Sequence, residues 1–313
     1  MAVESAERDS VALVPNAGWD PRILVCRCSP TVDAFIVVTA RYVILIDTLI
    51  NPATARAMLA LARAHLTAAR TLLVINTHAD WDHCWGNQLF AGPEAEAPAP
   101  IIGSRRCAER LRSAAATQRL GQMRASEPGR FDDVRIVPPT LFCDDRLTID
   151  GGDLTLDLFL TPGHTPDHLA IHLPEIATLL AGDAAEFPFP FAGSADTLPQ
   201  LRASLGRMAA LQPVAALYCH APETSGPTLL ADNLAYFDTL EARCRAALVR
   251  GVPAQPPPGA DLEALVGFPF AEAIPARYAG EATDFYLHGH RAHLRMMLEW
   301  LAKNDEREMP DGV

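Results

Sequence analysis

Residues 75–87 read INTHADWDHCWGN, and they set His78, Asp80, Asp82 and His83 within six positions, directly after the apolar run Thr71 to Ile75. Neutral imidazoles and carboxylates suit borderline-hard divalent ions, so four such donors this close together point to a metal. The run TLLVINT reads as a short buried strand that ends where the donors begin. Ahead of it, NPATARAMLALARAHL carries Pro52 near its start and an alanine–leucine periodicity through Leu66, which predicts a helix. The result is a strand–helix–strand unit with its chemistry at the carboxyl end of a strand, where ligand sites in α/β layers tend to sit.

Working outward, RILVCRCS, DAFIVVTA and RYVILIDT are β-branched, apolar and separated by short breaks, so they read as strands. AGPEAEAPAP (91–100) reads as a loop and SRRCAERLRSAAATQRL as one helix. Strand signals return in RLTID, LTLDLFLTPG, HLAIHLP and ATLLAGD. DTLPQLRASLGRMAAL is then a helix, VAALYCH a strand and TLLADNLAYFDTLEARCRAALVR a long helix. GVPAQPPPGA (251–260) is a proline-rich connector with no core of its own. Beyond it, TDFYLHGHRAHLRMMLEWLAK is helical by its Leu, Met and Trp spacing. The expected organisation is a catalytic domain over 1–250 and a connector with a helical extension over 251–313, packed on the same domain.

The 313 residues are 49% hydrophobic and 20% charged, enough to bury a sizeable core. A formal charge of -12 opposes a nucleic-acid or anionic-membrane partner, because neither surface attracts such a chain. Arg105, Arg106, Arg110 and Arg112 are interspersed with Glu109 and small residues and read as a solvated helix face. The start, MAVESAERDS, lacks the apolar core of a signal peptide, and no apolar run reaches the roughly 20 residues of a membrane helix. The seven scattered cysteines read as reduced thiols packing as small hydrophobes, which places the protein in the cytoplasm. No Gly-x-Ser-x-Gly elbow or phosphate-binding loop is present, which opposes a serine hydrolase or a nucleotide enzyme.

Donors recur at the ends of four separate strands. After HADWDH come His164 and His168 in TPGHTPDH, Asp183 in LLAGD and His220 in YCH. One strand-end histidine is ordinarily a satisfied polar residue; four such groups are harder to dismiss. In order and spacing over roughly residues 22–250 the chain resembles the metallo-β-lactamase fold superfamily, and TPGHTP and LLAGD resemble its hydrolase branch near glyoxalase II and the lactonases. The resemblance implies an αββα sandwich of two mixed β-sheets with outer helices. It implies two divalent metal ions, zinc foremost with iron or manganese as alternatives. His78, Asp80 and His164 would hold the first metal and Asp82, His83 and His220 the second, with Asp183 bridging and Asp82 also the candidate catalytic residue.

Asp80 departs from the family's His-x-His-x-Asp-His pattern, where a histidine is usual, and its oxygen and extra negative charge favour a harder ion. The flavodiiron branch has a glutamate there, which keeps a di-iron site open. Asp47, ending RYVILID, is implied to support the metal loop by hydrogen bonding. His168 reads as structural, Asp167 stands where relatives often have glycine, and Cys84 reads as buried packing. Trp81 with Phe187, Phe189 and Phe191 of EFPFPF are candidate walls of a substrate pocket, weighed evenly against a loop that covers the core. His288, His290 and His293 read as surface or pocket-rim residues rather than ligands.

The expected function is a metal-dependent hydrolase in which a water activated by two metals attacks an ester, lactone or thioester. Asp80 or a bound water is the candidate proton donor. The alternatives are a di-iron oxidoreductase acting on oxygen, sulfur or nitric oxide, and a non-catalytic binding protein on a degenerate site. The expected partner is a small-molecule substrate, with no nucleic acid and no membrane, and a homodimer is one open state of assembly.

Overall fold

The structure, a computed structural model, describes residues 9–278 and 284–308, with side chains through residue 304. The charged start over residues 1–8 lies outside the described residues, as do residues 309–313. The chain divides into two compact units: residues 1–161, 166–183 and 213–226 form the first, and residues 162–165, 184–212 and 227–313 the second.

The first unit holds two mixed sheets. The seven-stranded sheet runs in order β1 (Val11–Leu13), β2 (Ile23–Cys28), β3 (Val32–Val38), β4 (Tyr42–Ile46), β5 (Thr71–Ile75), β6 (Ile101–Ser104) and β7 (Leu141–Cys143). Its first three pairings are antiparallel and its last three parallel. The five-stranded sheet has the order β12 (Ala215–Tyr218), β11 (Thr178–Gly182), β10 (Leu169–Leu173), β9 (Thr155–Leu160), β8 (Arg146–Asp150), with only β11 and β12 parallel.

Apolar pattern and position agree. Every residue of β3 is buried, as suits a central strand covered on both faces, whereas β8 alternates exposed and half-buried residues at a sheet edge. One apolar cluster joins Phe35, Ile44 and Leu45 of the larger sheet to Leu156, Leu158 and Ile171 of the smaller. Each fully buried side chain of this kind stabilises by about 1.5–3 kcal/mol relative to exposure. Helix α1 (Pro52–Arg63) starts on a capping box in which Asn51 and Thr54 each take the other's backbone N–H. Helix α2 (Trp81–Cys84) is a single turn inside the donor-rich stretch.

The single helix expected over SRRCAERLRSAAATQRL is two, α3 (Arg105–Arg112) and α4 (Ala114–Ser126). Ser113 is extended at ψ 156° and its Oγ accepts the Ala116 N–H, so a cap for the second helix interrupts the first. The charged face also divides. Arg105, Arg106 and Arg112 are exposed, but Arg110 is half-buried and paired.

The second unit is helical, with α5 (Leu198–Ala210), α6 (Thr228–Val249), α7 (Leu262–Val266), α8 (Phe270–Ala273) and α9 (Asp284–Glu308). Its core corrects the reading of the tail histidines: His288 is exposed, but His290 and His293 are buried. A directed chain of hydrogen bonds satisfies both. Ala192 N–H donates to His293 Nε2 at 3.0 Å, which leaves His293 Nδ1–H to donate to the Tyr236 oxygen at 3.0 Å. Tyr236 O–H then donates to His290 Nδ1 at 3.1 Å, and His290 Nε2–H to the Phe268 carbonyl at 2.9 Å. Every donor is spent on an acceptor only when both rings are neutral. Burial drives the His293 imidazole down to about 3, and burial lowers His290 as well.

EFPFPF is neither helix nor strand and bends at Phe187 and Pro188, and buried Asn233 ties it to α6 by accepting the Glu186 N–H and donating to the Glu186 and Pro188 carbonyls, each at 3.0 Å. Among the described residues no helix is long and apolar enough to cross a membrane. All seven cysteines are buried and free of disulfides.

Candidate metal centre

The donors of the first unit sit where strands end. His78 follows β5 by three residues, Asp183 follows β11 directly and His220 follows β12 by two. Asp82 and His83 lie on the short turn of α2. His78 and His83 are fully buried and Asp82 and Asp183 nearly so, while His220 is half-buried. Asp183 Oδ2 lies 3.2 Å from His83 Nε2, 3.4 Å from His220 Nε2 and 3.6 Å from His78 Nε2. Asp82 Oδ2 is 3.3 Å from His220 Nε2 and 3.8 Å from His83 Nε2, and Asp80 Oδ2 is 3.6 Å from His78 Nε2.

These separations can be tested against a metal. Donors about 2.0–2.2 Å from a tetrahedral ion stand roughly 3.3–3.6 Å apart, close to the 3.2–3.8 Å found. The tautomers fit too. The one hydroxyl proton of Thr77 goes to Asp47 Oδ2 at 2.7 Å, so its oxygen accepts Nδ1–H from His78 at 3.0 Å. His83 Nδ1 faces Asp47 Oδ2 at 2.8 Å and donates its proton to that carboxylate. With Nδ1 committed in this way, each ring turns Nε2 towards Asp183, the atom a metal would take in place of a proton.

The electrostatics ask for positive charge at this point. Burial acts to raise the Asp183 and Asp82 carboxyls, but the imidazoles of His83 and His220 outweigh it and hold both below the usual range. Burial acts to lower His83, yet the carboxylates of Asp183, Asp82 and Asp47 hold it well above its ordinary value.

Asp47 has a positive φ of 66° and Leu49 one of 63°, uncommon for residues with a side chain. The turn after β4 is thus made by Asp47 itself. Thr77 N–H reaches Asp47 Oδ1 at 2.7 Å and Thr48 N–H reaches the His83 carbonyl at 2.7 Å, so the loops after β4 and β5 are tied together.

His168 donates from Nδ1 to Thr161 Oγ at 2.7 Å and accepts the Asp183 N–H on Nε2 at 3.0 Å, so both ring nitrogens are spent on holding the backbone. His164 belongs to the second unit. Its Nδ1 donates to the Phe191 carbonyl at 3.0 Å, which leaves Nε2 as the ring's acceptor. Phe189 is fully buried and stacked on Tyr236 at 4.1 Å and 8°, in the core of the second unit rather than on a pocket wall. Phe187 is buried and Phe191 half-buried in the same aromatic group, with Phe191 stacked on Tyr286 at 5.8 Å. Trp81 is half-buried, edge-on to Phe131 at 5.6 Å. It shares with Asp80, Trp85, Arg110 and Arg119 the lining of a cleft of about 690 Å³.

Sequence reading missed Arg110. Its Nη2 donates to Asp80 Oδ1 at 2.9 Å and its Nη1 pairs with Asp167 Oδ1. Asp167 is fully buried, and its Oδ2 accepts the Ala79 N–H at 2.8 Å. The only local trace was two unexplained aspartates, 80 and 167, with nothing in the spacing to join them.

A family model described as the metallo-beta-lactamase superfamily matches residues 30–220, and the chain belongs to that superfamily. Over 73 residues, 23% of this chain, it is 40% identical to a hydroxyacylglutathione hydrolase of Erythrobacter litoralis (strain HTCC2594); the match spans 29% of that relative. Among solved structures it is similar to a metallo-beta-lactamase family protein from Thermus thermophilus, with 21% identity, TM-score 0.59 and coverage of 95% of this chain and 93% of that one. It is also similar to a sec-alkylsulfatase from Pseudomonas sp., with 18% identity, TM-score 0.63 and coverage of 98% and 53%. At these identities the structural likenesses show the fold, two mixed sheets with helices as the sequence led us to expect.

Proposed function

We propose that this protein is a metal-dependent hydrolase acting on an ester, lactone or thioester of a small molecule. The observation that carries the reading is the position of Asp183 Oδ2 among the Nε2 atoms of His78, His83 and His220, all within 3.6 Å. Asp82, His83 and His220 would hold one divalent ion. His78 and Asp80, with His164 by its place in the sequence, would hold the other, and Asp183 would be shared. When bound, such a pair supplies a Lewis acid for a carbonyl oxygen and brings the pKa of water down towards 7.

The chain's own groups prepare for that chemistry. Asp47 and Thr77 engage Nδ1–H of His83 and His78, so Nε2 is the atom each ring offers to a metal. Asp82, held ionised by His83 and His220, accepts a proton rather than supplying one, which suits the catalytic role given to it. The cleft beside Asp80, walled by the indoles of Trp81 and Trp85 and by Arg110 and Arg119, supports a substrate with an apolar body. Partial likeness to a hydroxyacylglutathione hydrolase supports a hydrolytic reaction.

The test is to purify the protein without chelators, count its metals by inductively coupled plasma mass spectrometry, and assay a panel of esters, lactones and thioesters. Two zinc or manganese ions with turnover that Asp183→Asn abolishes is the expected result. A second reading, a di-iron oxidoreductase, is favoured by the carboxylate at position 80. Two irons and consumption of oxygen without hydrolysis would select it, and an absence of metal would leave only a binding role.

A further inference from the structure

We infer that Arg110 is a positioning residue for the first metal: it holds Asp80 by one carboxylate oxygen so that the other faces His78. The inference rests on the metal reading above and concerns which residues make an aspartate serve at position 80.

Asp80 occupies the N-cap position of α2, with φ -74° and ψ 156°, yet its side chain caps no N–H of that helix. Aspartate at such a position ordinarily folds back onto the backbone. Here Oδ1 instead accepts from Arg110 at 2.9 Å, while Oδ2 stands 3.6 Å from His78 Nε2. The two oxygens are divided between a guanidinium and the donor cluster.

The other half of the clamp is rigid. Asp167 is fully buried, and a buried carboxylate costs several kcal/mol unless it is paired and hydrogen-bonded. Arg110 and the Ala79 N–H meet that need, one on each oxygen. The Asp167 carbonyl accepts from Ser104 Oγ at 2.8 Å, and the same Oγ takes the Cys107 N–H at 3.0 Å to cap α3, the helix that carries Arg110. Asp167 thus anchors the peptide between His78 and Asp80 and also the start of Arg110's helix. A guanidinium fork bonds two carboxylates in fixed geometry, which an ammonium does not. It also offsets the charge that an aspartate adds where an imidazole would be neutral.

The experiment is a double-mutant cycle read by zinc affinity, with chelating-dye competition on the full-length protein and d–d absorption after cobalt loading. Arg110→Met is expected to weaken one of two zinc ions by roughly 10–100-fold, leave the other unchanged and alter the cobalt spectrum. Arg110→Lys should not rescue it. In an Asp80→His background Arg110→Met should weaken binding far less, because an imidazole needs no counter-ion and only the loss of Asp167's partner remains. Equal weakening in both backgrounds would mean that Arg110 only supports the fold, and unchanged zinc binding in Arg110→Met would overturn the inference outright. Arg110→Met combined with Asp167→Asn removes the buried charge and serves if the single variant does not fold. A wild-type protein that binds no zinc or cobalt would overturn the metal reading and this inference together, whereas two ions indifferent to Arg110 would overturn this inference alone.

Discussion

Asp47 Oδ2 lies 2.8 Å from His83 Nδ1, and it gets there from a backbone at φ 66°. A residue that accepts left-handed backbone, at a cost of about 1–3 kcal/mol, is held there by other contacts. Here they are the Thr77 N–H and O–H and the His83 ring, all on one carboxylate.

Replacing Asp47 with asparagine should therefore be felt at the metals before it is felt in the fold. An amide can present its NH₂ to His83 Nδ1 and permit the wrong tautomer. We expect zinc affinity to drop roughly 10–100-fold while the far-ultraviolet circular dichroism stays native. Full zinc retention in Asp47→Asn would show that the tautomer is set elsewhere.

Chelation should cost stability as well as activity. An ion held at a thousand times its dissociation constant stabilises by about 4 kcal/mol, or roughly 6 °C in Tm for a chain of this size. Dialysis against EDTA should lower Tm by that order and added zinc should restore it. A Tm indifferent to EDTA would argue that no ion is bound.

Gly163 stands at φ 143°, and a Cβ there would meet the Leu201 Cα at 2.3 Å. Gly163→Ala must push its loop away from α5 and take on an unfavourable backbone as well. We expect a loss of at least about 1–3 kcal/mol in urea unfolding. A variant with wild-type stability would show that the loop adapts.

The relay through Tyr236 sets a pH dependence. His293 binds its proton at about 3 when folded and at its ordinary value of 6.5 when unfolded. Between those values the unfolded chain binds more protons, so this group's contribution is full above pH 6.5 and fades as the pH falls towards 3, with His290 adding in the same direction. Midpoints of urea unfolding measured across that window should fall with pH, and less steeply in His293→Asn. Tyr236→Phe strands His293 Nδ1–H and His290 Nδ1 and should cost about 1–3 kcal/mol at neutral pH.

Strand ends were readable because the apolar runs of β3, β4, β5 and β11 stop at Asp, Thr, Asn or Gly, where a buried sheet gives way to its edge. β6, which directly follows APAP, was too short to rise above its prolines, and the break at Ser113 rests on one side chain turning back to its own backbone. The donor set of the first unit followed from order along the chain. Arg110 did not, because it meets Asp80 across 30 residues and Asp167 across 57, and no periodicity encodes such a meeting. Proline kept EFPFPF out of helix and sheet, but its fate in the core rests on Asn233, which nothing in the loop announces.

The seven buried thiols have a practical consequence. Burial lifts Cys26, Cys28 and Cys244 to about 12, so at neutral pH an alkylating reagent finds almost no thiolate in the native protein. The native cysteines then act as a built-in clock: labelling proceeds only as fast as the chain opens, and mass spectrometry of the tryptic peptides would time each opening by region. A cysteine introduced on the surface for a probe would react alone, with no need to remove the native seven.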